Sequence, residues 1–200
     1  MDPAARLRSA AFRQTQAVIA ARQTTSARRL VAPGPTDAEL QALLELAAAA
    51  PDHGQLTPWR FITVPPEQRD RLGQAFADAL QDRDAQATPE QLRAARDKAR
   101  NAPLLLVAVA CLGPREPDTP AAERLVSLGA AIQNLLLGAQ ALGYGTALTS
   151  GRAMTSPRLH TLLGLDAMDQ PVCCINIGTI GQAKPSRRVR PAVESFFRTL

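Results

Sequence analysis

A chain of 200 residues, 46% hydrophobic and 20% charged, suits one globular domain or one subunit of an intertwined pair. Its net charge of +5 suggests a nucleic-acid partner, but the basic residues are interspersed with acids and only 4% of the residues are aromatic, so we expect none. Three cysteines without Cys-x-x-Cys or Cys/His spacing predict neither a disulfide framework nor a metal site. The first residues lack the apolar core of a signal peptide, which favours a cytoplasmic protein. We expect one domain over residues 1–200, with residues 1–10 mobile.

The first part of the chain predicts two helices joined by a polar connector. The first helix covers about residues 10–21, and residues 22–35 form the connector. Thr36 and Glu39 then match a capping box, in which the two residues satisfy each other's backbone at the start of a helix. Pro51 ends this second helix, because the residue before a proline disfavours helical geometry.

The rest of the chain predicts strands and helices that do not alternate one for one. The run from Leu104 to Ala110 is too apolar for an edge strand and is predicted to be a central strand. The other predicted strands cover residues 59–64, 144–148 and 172–177, and the other helices cover residues 67–82, 89–100, 119–142 and 157–164. This order favours an α+β fold, with a sheet of about four strands and helices on its faces.

The helix over residues 119–142 is apolar on nearly every side from Leu125 onward, a pattern typical of a helix that is buried all round. A membrane span is the rival interpretation, because the apolar stretch is near the required length. We reject it because Ser127, Gln133 and Gln140 interrupt the stretch and no second span exists. In a chain this small, such a helix suggests that a partner subunit covers one side.

No catalytic nucleophile and base are evident, which leaves a cofactor as the simplest source of chemistry. His53 and His160 are the only histidines, and neither has a Gly-x-Ser-x-Gly or Cys–His signature around it. The chain has no P-loop, and Gly143-x-Gly145 follows a helix instead of a strand, so it is a poor dinucleotide fingerprint. We therefore expect a bound cofactor to carry the reaction.

Two polar segments of the first third of the chain are candidates to hold this cofactor. Arg22-Gln23-Thr24 offers a guanidinium group and a hydroxyl to a phosphate, although its spacing alone favours a solvated helix end. Residues 50–59 form a loop dense in polar groups, where binding sites are common. In this loop the sequence is equally consistent with His53 as a turn residue and as a binding residue. Trp59 is expected to pack in the core.

Two further candidate segments lie in the last third of the chain. Residues 143–151 are rich in glycine, which lets backbone amides approach a flat ligand, and Gly143 also fits a helix C-cap. Arg188 and Arg190 lie on one side of an extended segment, where the two guanidinium groups would clamp one phosphate. The alternative for this pair is a mobile basic terminus.

In this order and at this spacing, these segments resemble the nitroreductase family of flavoproteins, especially a small subgroup with an A-P-D-H…P-W loop. The likeness runs from about residue 12 to residue 191. It rests on Arg-x-Thr, on Ala50-Pro51-Asp52-His53 before Pro58-Trp59, on Gln133-Asn134 in the long apolar helix, on Gly-x-Gly, and on Ile177-Gly178-Thr179.

The resemblance implies an α-β sandwich with a central, mostly antiparallel sheet of four or five strands, in an intertwined homodimer that binds FMN at the subunit interface. The loop of His53 would reach the FMN of the partner subunit. The cofactor-binding residues implied by the resemblance are Arg22, Gln23, Thr24, Ala49, His53, Gln55, Leu148, Thr149, Ser150, Arg188 and Arg190. The implied nicotinamide-binding residues are Gly138, Ala139, Gln140, Ala141, Leu142 and Gly143.

The activity that the resemblance implies is hydride transfer from NADH or NADPH, through N5 of the flavin, to a small organic acceptor such as a nitroaromatic compound or a quinone, in a ping-pong cycle. No side chain is then a catalytic acid or base. Backbone amides near Gly151 and the ring of His53 are candidates to stabilise the charge of the reduced flavin. The alternatives are ene-reduction or dehalogenation on the same fold, a flavin-binding protein without turnover, and a nucleic-acid-binding protein.

Overall fold

The computed structural model describes residues 6–7, 9–182 and 189–200 of the chain. Arg188, one of the two arginines predicted to bind phosphate near the C-terminus, lies outside the described residues, as does most of the segment 1–10 that the sequence predicts to be mobile.

A five-stranded sheet with antiparallel pairing forms the centre of the fold. Its strands are β1 (Leu30–Val31), β2 (Trp59–Thr63), β3 (Leu104–Cys111), β4 (Gly145–Thr149) and β5 (Asp169–Ile180). The long β5 pairs with β3 on one side and with β4 and β1 on the other, and β2 pairs with the remaining side of β3. As a result, β2 and β4 lie at opposite edges of the sheet, with β3 and β5 between them.

The helices flank both faces of this sheet, so the predicted α+β class is confirmed. They are α1 (Ala10–Ala21), α2 (Asp37–Ala48), α3 (Arg69–Arg83), α4 (Pro89–Asp97), α5 (Ala121–Ala141) and α6 (Pro157–Leu162). One face of the sheet packs against α2 and α5, and the other packs against α3, α4 and α6.

The run from Leu104 to Ala110 is the central strand that its sequence predicts. Alternate side chains of a strand point to opposite faces. Accordingly, Leu106 and Ala108 pack in the core beneath α2 and α5, whereas Leu105 and Val107 pack in the core beneath α3 and α4. Both faces of β3 are apolar because both are covered by helices.

The predicted capping box at the start of α2 is confirmed. The Glu39 backbone N–H donates to Thr36 Oγ1 at 3.3 Å, and the Thr36 N–H donates to Glu39 Oε2 at 2.8 Å. The Glu39 carboxylate also accepts from the hydroxyl of Tyr144 at 3.0 Å, which ties this helix start to the segment before β4. Backbone and side-chain hydrogen bonds from Thr36, followed by the bond from Tyr144, lower the pKa of Glu39.

Some predicted boundaries are wrong where pairing with a distant strand decides the structure. The expected connector over residues 22–35 contains a 3₁₀ turn, Ala27–Arg29, and the two-residue strand β1. β5 extends from residue 169 to residue 180, beyond the predicted 172–177, because β3, β4 and β1 all supply it with partners. A strand of two residues is too short to show the alternation that predicts a strand.

The long apolar helix α5 is not covered on all sides within one chain. Val126 is 74% exposed and Leu125 is also partly exposed, while Leu128 and Leu135 are fully buried. Helix α1 contacts α5 and has no buried residue of its own. Among the described helices, none combines the length and the apolar character needed to cross a membrane.

Candidate functional site

The predicted Arg-x-Thr segment lies beside β4. Thr24 forms an isolated parallel bridge with Thr146, and the backbone N–H of Thr25 donates to the carbonyl of Thr146 at 2.8 Å. Arg22 follows the last turn of α1 in extended geometry and is partly buried. The connector therefore runs along the same sheet edge whose far end carries Thr149.

Arg190 is brought to Arg22 from the C-terminal segment. Its Nη2 donates to the carbonyl oxygen of Arg22 at 3.3 Å. Arg190 also lines a shallow apolar groove of about 420 Å³ on α1, together with Phe12 and Ile19. The two predicted phosphate ligands that the structure describes, one from each end of the chain, thus lie side by side.

A cavity of about 310 Å³ opens at the end of β4, a size within the usual range of ligand pockets. One wall is the segment Thr149-Ser150-Gly151, of which Thr149 and Ser150 were predicted to contact the cofactor. The apolar part of the lining includes Phe76, Leu80, Met154 and Cys174. Burial raises the pKa of the Cys174 thiol to about 12, so this side chain stays neutral at physiological pH.

The rim of this cavity is cationic, which the sequence did not predict. Arg83 at the end of α3, Lys98 just after α4, and Arg152 line it together with Gln91, and no acidic side chain is among the described residues of the lining. The sequence places Arg83 and Lys98 in helical segments with many acids, a pattern typical of solvated faces. Only the packing of α3 and α4 beside the end of β4 brings them together.

Thr149 is also linked to a buried polar residue of the neighbouring strand. Asn176 Nδ2 donates to Thr149 Oγ1 at 3.0 Å and to the carbonyl of Ala147 at 3.2 Å. Asn176 Oδ1 is buried, and no described residue forms a hydrogen bond with it. Next to Thr149, the hydroxyl of Ser150 donates to the carbonyl of Val172 at 2.9 Å, which fixes the start of the loop.

The His53 loop lies at the opposite edge, before β2. His53 Nδ1 lies 3.1 Å from Glu123 Oε2 at the start of α5, and the Thr57 backbone N–H donates to the Asp52 carboxylate. Gly54, Gln55 and Thr57 have φ angles of 58°, 55° and 48°. Positive φ is strained for residues other than glycine and concentrates at functional sites. Trp59, as expected, is buried in the core.

Within one chain, the two halves of the predicted cofactor site do not meet. The His53 loop leads into β2, and Thr149 ends β4, with β3 and β5 between these strands. Three strand spacings correspond to about 14 Å. Within one chain, His53 and Ser150 are therefore separated by most of the width of the sheet.

The segment Gly138–Gly143, predicted to bind nicotinamide, has packing roles of its own. A Cβ atom on Gly138 would lie 2.5 Å from Leu46 Cδ1 and 2.8 Å from Leu43 Cδ2, so this glycine allows α5 to approach α2. Ala139 is fully buried, and Gly143 has a φ of 88° as the predicted C-cap. Nicotinamide contact therefore stays a prediction, and Ala141, Leu142 and Gly143 are the exposed residues that could make it.

The remaining predicted cofactor residues are on the surface. Ala49 is exposed at the end of α2, Gln55 is exposed in the His53 loop, and Leu148 is exposed near the end of β4. Gln23 and Thr24 are exposed beside the start of β4. In the described part of the chain, no group of His, Cys, Asp and Glu side chains is arranged to hold a metal ion.

Comparison with known proteins identifies the family. The family model described as "Nitroreductase family" matches residues 19–179. The chain belongs to the nitroreductase family. A Haemophilus influenzae protein named "Putative NAD(P)H nitroreductase" is 32% identical over 165 residues, which cover 82% of this chain and 88% of that protein. An Escherichia coli K12 protein of the same name, YdjA, is 32% identical over 157 residues, which cover 77% and 82%.

Solved structures of nitroreductases share the fold of this family member. A nitroreductase-like family protein from Bacillus cereus superposes with a TM-score of 0.77 at 22% identity and covers 92% of this chain and 95% of its own. A nitroreductase with bound FMN from Desulfitobacterium hafniense gives a TM-score of 0.65 at 20% identity, with coverages of 94% and 98%. The predicted nitroreductase-like fold is thus confirmed, and membership of the A-P-D-H subgroup stays a prediction.

Proposed function

We propose that this nitroreductase-family protein binds FMN and uses it to reduce a small organic acceptor, such as a nitroaromatic compound or a quinone, with electrons from NADH or NADPH. Family membership and the names of the relatives support the reaction class. The observation of the structure that carries the proposal is the cavity at the end of β4, where two of the predicted contact residues, Thr149 and Ser150, form one wall together with Gly151.

The residues of the β4 edge fit a molecule that has a flat ring and a phosphate tail. The Arg190 guanidinium lies against the backbone carbonyl of Arg22, so the two residues are neighbours, and arginine is the side chain best suited to a phosphate. Thr24 faces Thr146, and the three further residues to Thr149 correspond to about 10 Å of strand. One elongated molecule could therefore place its anionic tail near the arginines and its ring at the cavity.

When bound, FMN supplies a ring that accepts electrons from a nicotinamide and passes them to an acceptor. The chain's own task is to hold that ring, exclude water from one side and oppose the negative charge that develops. Arg83, Lys98 and Arg152 provide fixed positive charge around the cavity, and the backbone N–H of Gly151 is a further donor. No described residue beyond its chain neighbours lies within 4 Å of a Cβ built on Gly151, so a ligand could approach its backbone.

We propose that the working unit is a homodimer in which the His53 loop of one copy completes the site of the other. The separation of the two sheet edges within one chain supports this arrangement. The exposed apolar residues of α5, with Val126 at 74% exposure, and the absence of buried residues in α1 are typical of surfaces that a partner covers.

A visible absorption spectrum of the purified protein tests the cofactor directly. We expect a flavin spectrum, or its appearance when FMN is added, and bleaching on anaerobic addition of NADH or NADPH. Addition of a nitroaromatic compound or a quinone should then restore the oxidised spectrum. A colourless protein that does not bind added FMN would contradict the proposal, and binding without NAD(P)H oxidation by any acceptor would favour a flavin-binding protein without turnover.

Light scattering after gel filtration tests the assembly. We expect the mass of two chains, both with and without FMN. If the wild-type protein instead has the mass of one chain and still binds FMN, the His53 loop of a second copy is not required.

A further inference from the structure

Asn176 is a polar residue at a position where the fold demands apolar ones. It lies in β5, between Ile175 and Ile177, which are fully buried, and is itself only 1% exposed. Burying a polar side chain without satisfying all its hydrogen bonds destabilises a protein. An apolar residue would fill the same place without this penalty, so the amide is expected to serve a task other than stability.

The hydrogen bonds of the amide determine its orientation. Nδ2 donates to the carbonyl of Ala147 at 3.2 Å and to Thr149 Oγ1 at 3.0 Å, while Oδ1 has no partner among the described residues. The flipped amide would direct its oxygen at the Ala147 carbonyl, where two acceptors would repel each other. The N–H group therefore faces Thr149, and Thr149 Oγ1 is an acceptor in this pair.

The orientation of the amide in turn directs the hydroxyl hydrogen of Thr149. A threonine hydroxyl has one hydrogen to donate. Because its oxygen already accepts from Asn176, that hydrogen is directed away from Asn176. Thr149 is exposed and lines the cavity at the end of β4, and its register partner Cys174 on β5 lines the same cavity.

We propose that Asn176 is a positioning residue, which holds the Thr149 hydroxyl as a hydrogen-bond donor toward the ligand of the β4 cavity. This inference rests on the proposed function, in which that ligand is FMN, whose ring carries acceptor oxygens and nitrogens. Asn176 does not touch the ligand. It acts by fixing which way Thr149 donates, so the two residues form one functional unit.

A double-mutant cycle on apoprotein titrated with FMN tests the proposal, with fluorescence quenching as the readout of Kd. Thr149→Val removes the donor, and Asn176→Leu removes the group that orients it. We expect each change to raise the Kd about tenfold, as the loss of one hydrogen bond predicts. The double variant should be no weaker than the weaker single variant, because both changes remove the same interaction. Thr149→Ser, which keeps the hydroxyl, should retain the wild-type Kd.

Asn134→Leu is the matched control. Asn134 Nδ2 also donates to a backbone carbonyl, that of Leu46 at 3.1 Å, but at the α2–α5 contact on the other side of the sheet. This variant should lower the melting temperature and leave the Kd for FMN unchanged. If Asn176→Leu does not fold, Asn176→Ala provides the same test with a smaller side chain.

The outcomes separate this inference from the proposed function. Wild-type protein that does not bind FMN would overturn both. Wild-type protein that binds FMN, with Asn176 variants of unchanged Kd, would overturn only the role of Asn176. Effects of the two single variants that multiply in the double variant would also overturn it, because independent residues would then be involved.

Discussion

The two edges of the sheet differ in how complete they are within one chain. At the β4 edge, the segment after α1 pairs with β4, Arg190 contacts this segment at Arg22, and a cavity opens where β4 ends. At the β2 edge, the His53 loop has strained backbone angles. Among the described residues, the His53 ring pairs with Glu123 in the first turn of α5. The β4 edge has the features of a ligand-binding site, whereas the His53 loop has the features of a segment that contacts another molecule.

This difference teaches that a site predicted as one set of residues can be two half-sites in the folded chain. Sequence order does not reveal it, because both segments lie next to elements of the same sheet. The strand order shows that the two segments are far apart, since β3 and β5 separate β2 from β4. Variants at each edge therefore test which edge holds the cofactor and which edge only completes the site.

The largest effect is expected from the two arginines at the β4 edge that are proposed to bind the phosphate of FMN. Arg22→Ala combined with Arg190→Ala should weaken FMN binding by about a hundredfold or more, because each charge-assisted hydrogen bond contributes about 1.5–3 kcal/mol. The purified double variant should lose its yellow colour. The ratio of absorbance at flavin and protein wavelengths measures the loss, and titration of the apoprotein gives the Kd.

Arg71→Ala combined with Arg93→Ala is the control for net charge. Both side chains are exposed on helices, and neither lines a cavity described at the site. The control should retain its FMN. Full retention of FMN by the Arg22 and Arg190 double variant would refute the phosphate assignment and with it the ligand role of this edge.

The next effect concerns the ion pair that fastens the β2 edge. Arg60 on β2 binds the Asp169 carboxylate at the start of β5, and the Asp166 backbone N–H donates to the same carboxylate at 3.1 Å. Burial raises the pKa of Asp169, but the hydrogen bonds from Arg60 and from the Asp166 backbone outweigh it and lower the pKa below its ordinary value. Asp169→Asn should cost about 2 kcal/mol at pH 7, less than a fully buried pair because Arg60 is half exposed.

The pH dependence of that cost follows from the lowered pKa. A carboxylate with a lowered pKa in the folded state stabilises the protein above its unfolded pKa of about 3.9, and this stability is lost as the pH falls through the folded pKa. Melting temperatures of wild type and Asp169→Asn should therefore differ most near pH 7 and converge as the pH falls through the lowered folded pKa of Asp169. A constant difference across this range would mean that the charge of Asp169 is not what stabilises the edge.

A smaller effect should distinguish packing from ligand binding at the helix before β4. Gly138→Ala places a Cβ against Leu46 and Leu43 and should destabilise the protein by about 1–2 kcal/mol through overpacking. Its KM for NADH and NADPH should stay at the wild-type value if the glycine serves only the α2–α5 contact. A raised KM with unchanged melting temperature would instead assign Gly138 to the nicotinamide.

Gly129→Ala on the same helix is the comparison for this variant. Apart from the backbone of its own helix, no described residue lies within 4 Å of a Cβ at Gly129, so the substitution should be neutral or stabilising by up to about 1 kcal/mol. A clear loss of stability at Gly129 would indicate that a second copy packs against this face of α5.

What could be predicted from the sequence depended on how local the deciding interactions are. The capping box of Thr36 and Glu39 lies within four residues, and the run of β3 is apolar whatever its neighbours, so both were predictable. β1 exists only because β5 supplies its partners, and the rim formed by Arg83 and Lys98 exists only because α3 and α4 pack beside β4. In each missed case, the determining contact joins residues far apart in the chain, and no local pattern records it.

The smallest effect is expected at the β2 edge, from His53. His53→Ala should raise the Kd for FMN about tenfold, the loss of roughly one hydrogen bond or ring contact, while the dimer stays intact because the exposed apolar residues of α5 and α1 are unchanged. Glu123→Gln keeps the histidine but weakens the contact that orients it, so its effect should lie between wild type and His53→Ala. Titration with FMN gives the affinities, and gel filtration gives the assembly.

If His53→Ala separated the subunits, the loop would act as an interface element. If neither variant changed the Kd, the β2 edge would have no part in the cofactor site, and the β4 edge alone would have to hold the ligand.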